Sequence, residues 1–117
     1  MRNVTQCAVP IPCAAAELMP LLDFLGKNHR PEEQKRFPRG VVMPDGRLDL
    51  CKQQLGPQGV ELVCRALRGN TTMTSPLVGA DFMGDQGARH LANLVVENAS
   101  LETLFLGCNG ITPTGIS

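Results

Sequence analysis

The apolar positions of this chain change spacing along its length, and the change recurs. The segments LDLCKQQLGPQG (48–59), PLVGADFMGDQG (76–87) and LFLGCNGITPTG (104–115) begin 28 residues apart. In that register Leu48, Pro76 and Leu104 coincide, as do Leu50, Val78 and Leu106. Residues two apart point to one side of a short strand, so each pair lays its side chains over those of the next segment. Gln53, Asp81 and Asn109 share a polar slot where the strand ends. An Asn there can bond backbone groups of adjoining layers that burial would leave unpaired, and Gln53 and Asp81 are imperfect substitutes. Leu55, Met83 and Ile111 follow, and Gly59, Gly87 and Gly115 mark the start of a helix.

After the first two of these glycines the period lengthens. Val60, Val63, Cys64, Ala66 and Leu67 form one stripe at helical spacing, and Ala88, Leu91, Ala92, Leu94 and Val95 form another. Each predicted helix ends at an Asn, 70 or 98, a residue that tolerates the left-handed conformation of a helix C-terminus. The unit is strand, turn, helix, turn, repeated in a right-handed sense. Residues 1–44 do not repeat. Pro10 and Pro12 make the start extended. Ala14 to Asn28 reads as a helix with Leu18, Leu21, Leu22 and Leu25 on one face, which Pro20 either begins or kinks. His29 to Gly40 is charged and bounded by proline, and reads as a loop or a short helix over PEEQKRF. Terminal units of stacked arrays are atypical because one face meets water. Residues 1–44 are therefore expected to be an N-terminal extension and helical cap.

This arrangement resembles the leucine-rich-repeat family, in its ribonuclease-inhibitor-like subtype, over about residues 45–117. The pattern is LxLxxNxLGxxGxxxLxxxLxxN, and LFLGCNGI is its nearest match here. Departures are Pro76 in a leucine slot, Gln53 and Asp81 in the Asn slot, and Thr112 where Gly56 and Gly84 occur. The resemblance implies an α/β right-handed solenoid, with parallel strands on a concave face, helices on the convex face, and two complete units plus the start of a third. It also implies a protein partner bound across the concave face. The chain stops at Ser117, where a third helix would begin. The expectation is either a piece of a longer array or an uncapped end covered by another chain, self-association included.

Composition narrows the chemistry. The chain is 43% apolar, as a globular core requires, but only 3% aromatic, with no Trp or Tyr, so the core is built from Leu, Val, Ala, Met and Cys. Eleven basic and eleven acidic residues cancel, and no run of Lys or Arg exceeds two, which sets nucleic acid aside. No stretch of about 18 apolar residues offers a membrane span, and Gln6, Pro10 and Pro12 interrupt any secretory leader. Five cysteines, at 7, 13, 51, 64 and 108, form an odd set without a CxxC pair. They read as free thiols serving as small apolar residues, which points to the cytoplasm, and neither a metal site nor a cofactor is expected.

Alternate strand positions face the concave side: Arg47, Ser75 and Thr103, then Asp49, Leu77 and Phe105, then Cys51, Gly79 and Gly107. Among them Arg47, Asp49, Leu77 and Phe105 are expected to bind the partner, as an exposed apolar pair with a polar rim. The competing account is that scattered exposed apolar residues are ordinary. His29 and His90 are the only histidines. Cys64 and Cys108 stand in layer-packing slots, so no catalytic residue is expected. GDQG at 84–87 lacks the further glycines and the Lys of a phosphate loop and reads as a turn. Glycosylation sequons stand at Asn3, Asn70 and Asn98, the last two at positions the repeat itself demands, and none is expected to be modified. The chain therefore reads as a non-catalytic protein-interaction module. A regulator of an enzyme such as a GTPase-activating protein, with Arg47 as its arginine, and a structural segment of a larger assembly are the alternatives.

Overall fold

The computed structural model describes residues 11–107 and 109. Helix α1 spans Ala15–Gly26; strands β1 (Lys35–Arg36), β2 (Val41–Val42) and β3 (Arg47–Asp49) follow, then α2 (Gly56–Leu67), β4 (Ser75–Leu77) and α3 (Gly84–Glu97). In α1, Leu18, Leu21 and Leu25 fall on one face and are buried, while Glu17 Oε1 accepts the Ala14 N–H at 3.2 Å. Pro20 lies inside the helix rather than at its start. The α1 helix packs on α2, and α2 on α3. Their apolar stripes meet Val42, Leu48, Leu50, Met73 and Val78 in one core.

The sheet corrects the expected fold. Its order is β1-β2-β3-β4, with β1/β2 and β2/β3 antiparallel and only β3/β4 parallel. The described residues form a small α/β unit, three helices on one open four-stranded mixed sheet, and not a leucine-rich-repeat solenoid with all-parallel concave strands and a purely helical cap. The reason lies in 31–46, a stretch that overlaps His29 to Gly40, read from sequence as loop or short helix. Gly40 (φ 101°) and Gly46 (φ 96°) adopt a backbone that L side chains rarely enter, and each closes a tight reversal. The Phe37 N–H donates to the Gly40 carbonyl at 2.9 Å, and the Met43 N–H to the Arg47 carbonyl at 3.0 Å. A Cβ at Gly46 would stand 2.6 Å from Thr74 Oγ1, so the second reversal also lies hard against the approach to β4.

The 28-residue spacing nevertheless appears as a local register. Arg47 pairs with Ser75, Leu48 with Pro76 and Asp49 with Leu77, and an isolated parallel bridge joins Leu77 to Phe105. The turns after β3 and β4 share an unusual backbone. Lys52, Gln54 and Gly56 have φ of 60°, 60° and 65°, and Ala80, Phe82 and Gly84 have 56°, 55° and 60°. Four of these six are not glycine, so each turn holds side chains in a sparsely populated conformation that surrounding bonds must enforce.

Two further expectations need correcting. Helices α2 and α3 begin at Gly56 and Gly84, three residues before the glycines expected to start them. Asn98 at the end of α3 has φ −121°, extended and not left-handed, and Asn70 is not among the positive-φ residues either. Both are buried, and their side chains tie elements together. Asn70 Nδ2 donates to the Leu25 carbonyl at 3.0 Å, and Asn98 Nδ2 donates to the Leu67 and Asn70 carbonyls at 2.7 and 2.9 Å. That burial also closes both sequons to a glycan in the folded chain; Asn3, Cys7, Pro10, Cys108, Ile111, Thr112, Gly115 and Ser117 lie outside the described residues.

Gly87 sits in the first turn of α3, where an added Cβ would lie 2.4 Å from the Cβ of Met83. Met83 is wholly buried and its Cβ cannot swing away. Alanine ordinarily improves a helix over glycine by about 1 kcal/mol. Here Gly87→Ala is expected to destabilise by about 1–3 kcal/mol in urea titration, because overpacking outweighs propensity. Gly69→Ala, with open space around it, should stay near neutral. A stabilised Gly87→Ala variant would contradict the packing described.

Candidate functional site

Residues paired across neighbouring strands share a face of the sheet. The register places Arg36, Val41, Asp49, Leu77 and Phe105 in one continuous row. The parallel row on the core face begins at Lys35 and runs through the buried Val42, Leu48 and Pro76. The first row is thus the side turned away from the helices. Three of the four expected binding residues, Asp49, Leu77 and Phe105, lie next to one another in it. Arg47 stands on the same face in the adjoining row, opposite Ser75.

The charged members are already engaged. Arg47 is exposed, and its Nε lies 2.8 Å from Asp45 Oδ2, while its backbone N–H donates to Asp45 Oδ1 at 3.1 Å. The Arg47 backbone N–H, followed by its guanidinium, lowers the Asp45 carboxyl below its ordinary value. Asp49 Oδ1 accepts the Cys51 N–H at 3.0 Å, which turns the chain at the end of β3.

The apolar end has a definite shape. Phe105 is 51% exposed, and its ring lies across two glycines. A Cβ at Gly79 would come within 2.5 Å of its Cε2, and one at Gly107 within 2.8 Å of its Cζ. Cys51, Lys52, Gly79, Ala80, Phe105 and Gly107 line a shallow apolar pocket of about 220 Å³. Burial raises the Cys51 thiol above its ordinary value, so it meets the pocket as a neutral, weakly polar wall. Sequence reasoning put Cys51, Gly79 and Gly107 on this side of the sheet without giving them a role. The recurrence of glycine at 79 and 107 was the available signal. Arg36 and Val41 were missed because nothing in KRF or GVV announces a strand.

His90 is half-buried on α3, and burial pushes the Cys64 thiol up to about 12, far from a working nucleophile. Among the described residues no three His, Cys, Asp or Glu groups gather to hold a metal ion. Nor is any helix among them long and apolar enough to cross a membrane. GDQG forms the first turn of α3.

Neither a family model, nor a curated protein, nor a solved structure matches this chain.

Proposed function

We propose that this chain is a non-catalytic module that binds a protein partner through the helix-free face of its sheet. Leu77 and Phe105 provide the apolar centre, and Asp49 and Arg47 the polar rim. The observation that carries this reading is Phe105: a large aromatic side chain, half exposed beside Leu77, forming the wall of an apolar pocket floored by glycines. An aromatic anchor beside a pocket that can receive an apolar side chain is the usual centre of a protein interface. Cys13, Cys51 and Cys64 are free thiols, which supports a reducing, cytoplasmic setting.

Action as a GTPase regulator would ask Arg47 to reach a bound nucleotide. Its guanidinium is held by Asp45, and no observation favours that role over a rim charge. Phe105→Asp places a charge at the centre of the apolar patch without touching the buried core. It is expected to weaken partner capture at least ~10-fold, about 1.4 kcal/mol, with an unchanged circular dichroism spectrum. Retention of every captured protein by Phe105→Asp would refute the proposal. Light scattering on the same samples distinguishes a second copy of this chain from a different partner.

A further inference from the structure

We infer that Asp81 is a proton-dependent tie beneath the strand face, closed when its carboxyl is protonated and donates to a main-chain carbonyl of the preceding turn, and strained when it is ionised. The two turns match atom for atom on one side only. Asn109 Oδ1 accepts the N–H groups of Asp81 and Met83 at 2.7 and 3.3 Å. Asp81 Oδ1 accepts those of Gln53 and Leu55, 28 residues earlier in each case, at 2.8 and 3.5 Å. Each side chain therefore clasps a turn that carries two non-glycine residues at positive φ.

The second atom of each side chain differs. Asn109 Nδ2 donates to the carbonyls of Val78, Leu106 and Gly107 at 2.7, 2.9 and 3.2 Å. Its counterpart, Asp81 Oδ2, is buried and has no hydrogen-bond partner. Moving the Asn109 acceptors back by 28 residues names the Leu50, Val78 and Gly79 carbonyls as the groups on that side. Val78 and Gly79 already accept, from Asn109 Nδ2 and from the Lys52 N–H. The Leu50 carbonyl, counterpart of the shortest Asn109 bond, is the natural acceptor. A carboxylate oxygen presents only lone pairs to it; a carboxylic acid presents an O–H.

The surroundings favour the acid. Burial raises Asp81 to about 6, against the lowering effect of the Gln53, Leu55 and Gln54 N–H groups, and the nearby Asp49 on β3 raises it further. The same turn is bonded from its other side by the Arg39 guanidinium, at 3.2 Å from the Gln53 carbonyl and paired with Glu17, and Asp81 is also felt by the thiols of Cys51, just after β3, and Cys13, just ahead of α1. Both thiols are raised from 9.0 by burial and stay neutral below pH 8. A carboxyl raised in the fold contributes stability that is full below its ordinary value near 4 and is lost as pH climbs through about 6. The turn it clasps includes Lys52, and the next begins at Ala80, both on the pocket wall with Phe105. The tie therefore links acidity to the firmness of that wall.

The test is thermal unfolding of the full chain from pH 5 to 8, for the native sequence and for Asp81→Asn, which supplies the donor at every pH. The native midpoint should fall with rising pH relative to the variant, and Asp81→Asn should unfold about 5–10 °C higher at pH 8. Equal or lower stability of Asp81→Asn at pH 8 would overturn the inference. Should that variant fail to fold, the carbon NMR titration of the Asp81 carboxyl in the native chain still decides. A midpoint near 6 supports the tie, and one near 4 refutes it.

Discussion

Replacing Asn98 by alanine is expected to lower stability by about 2–4 kcal/mol, the cost of leaving the buried Asn70 carbonyl without its donor, the Leu67 carbonyl with the Asn70 N–H alone, and the Ser100 N–H without its acceptor. Its Nδ2 serves the Leu67 carbonyl at the end of α2 and the Asn70 carbonyl beyond it, and its Oδ1 accepts the Ser100 N–H at 2.8 Å. Water reaches the two carbonyls poorly, because Leu67, Asn70 and Asn98 are all buried. Asn98→Asp keeps the acceptor oxygen and removes the donor. At neutral pH it should cost at least as much as alanine, since it turns a buried anion toward two carbonyl oxygens. Urea unfolding with an unchanged slope measures both. A loss under about 1 kcal/mol for Asn98→Ala would mean that the carbonyls find other partners and that this tie is dispensable.

The second large effect belongs to Leu67, the last residue of α2, which is wholly buried in the common core. The helix it ends is the middle of three, packed on α1 on one side and α3 on the other. A cavity opened there is walled on both sides by elements held in place by the Asn70 and Asn98 bonds, so it collapses poorly. Leu67→Ala should therefore fall within the upper range for such changes, about 3–5 kcal/mol. Val96→Ala, at an 87% exposed position one helix away, should change stability by less than about 0.5 kcal/mol. Thermal or urea unfolding of the pair checks the core assignment. A Leu67→Ala chain as stable as the Val96→Ala chain would show that α2 is not the centre of the packing.

The Asp81 and Asn109 pair shows how far equivalent positions can diverge in chemistry. The polar slot was visible in the sequence, and so was the fact that Asp is an imperfect occupant. What the residue lacks became definite only with geometry: one oxygen satisfied by two N–H groups, the other buried with none. The same holds for the strand face. Alternation placed Asp49, Leu77 and Phe105 on one side, and the register sets them side by side. The pocket beneath Phe105 exists because residues 79 and 107 carry no Cβ to hold the ring away.

By itself the sequence determined the helices and the local register. Their apolar residues recur at helical spacing, and a side chain's face follows from its position along the backbone whatever it packs against. Leu18, Leu21 and Leu25 of α1, and the 28-residue offset between β3 and β4, were legible for that reason. Only the tertiary structure decided the sheet. Strands β1 and β2 are two residues long, KR and VV, too short for alternation to show, and they exist because Gly40 and Gly46 reverse the chain against β3. It decided the ties as well. Whether a buried Asn caps a helix or stitches two elements depends on which carbonyls arrive beside it, and those of Leu25 and Leu67 come from residues 45 and 31 positions earlier in the chain.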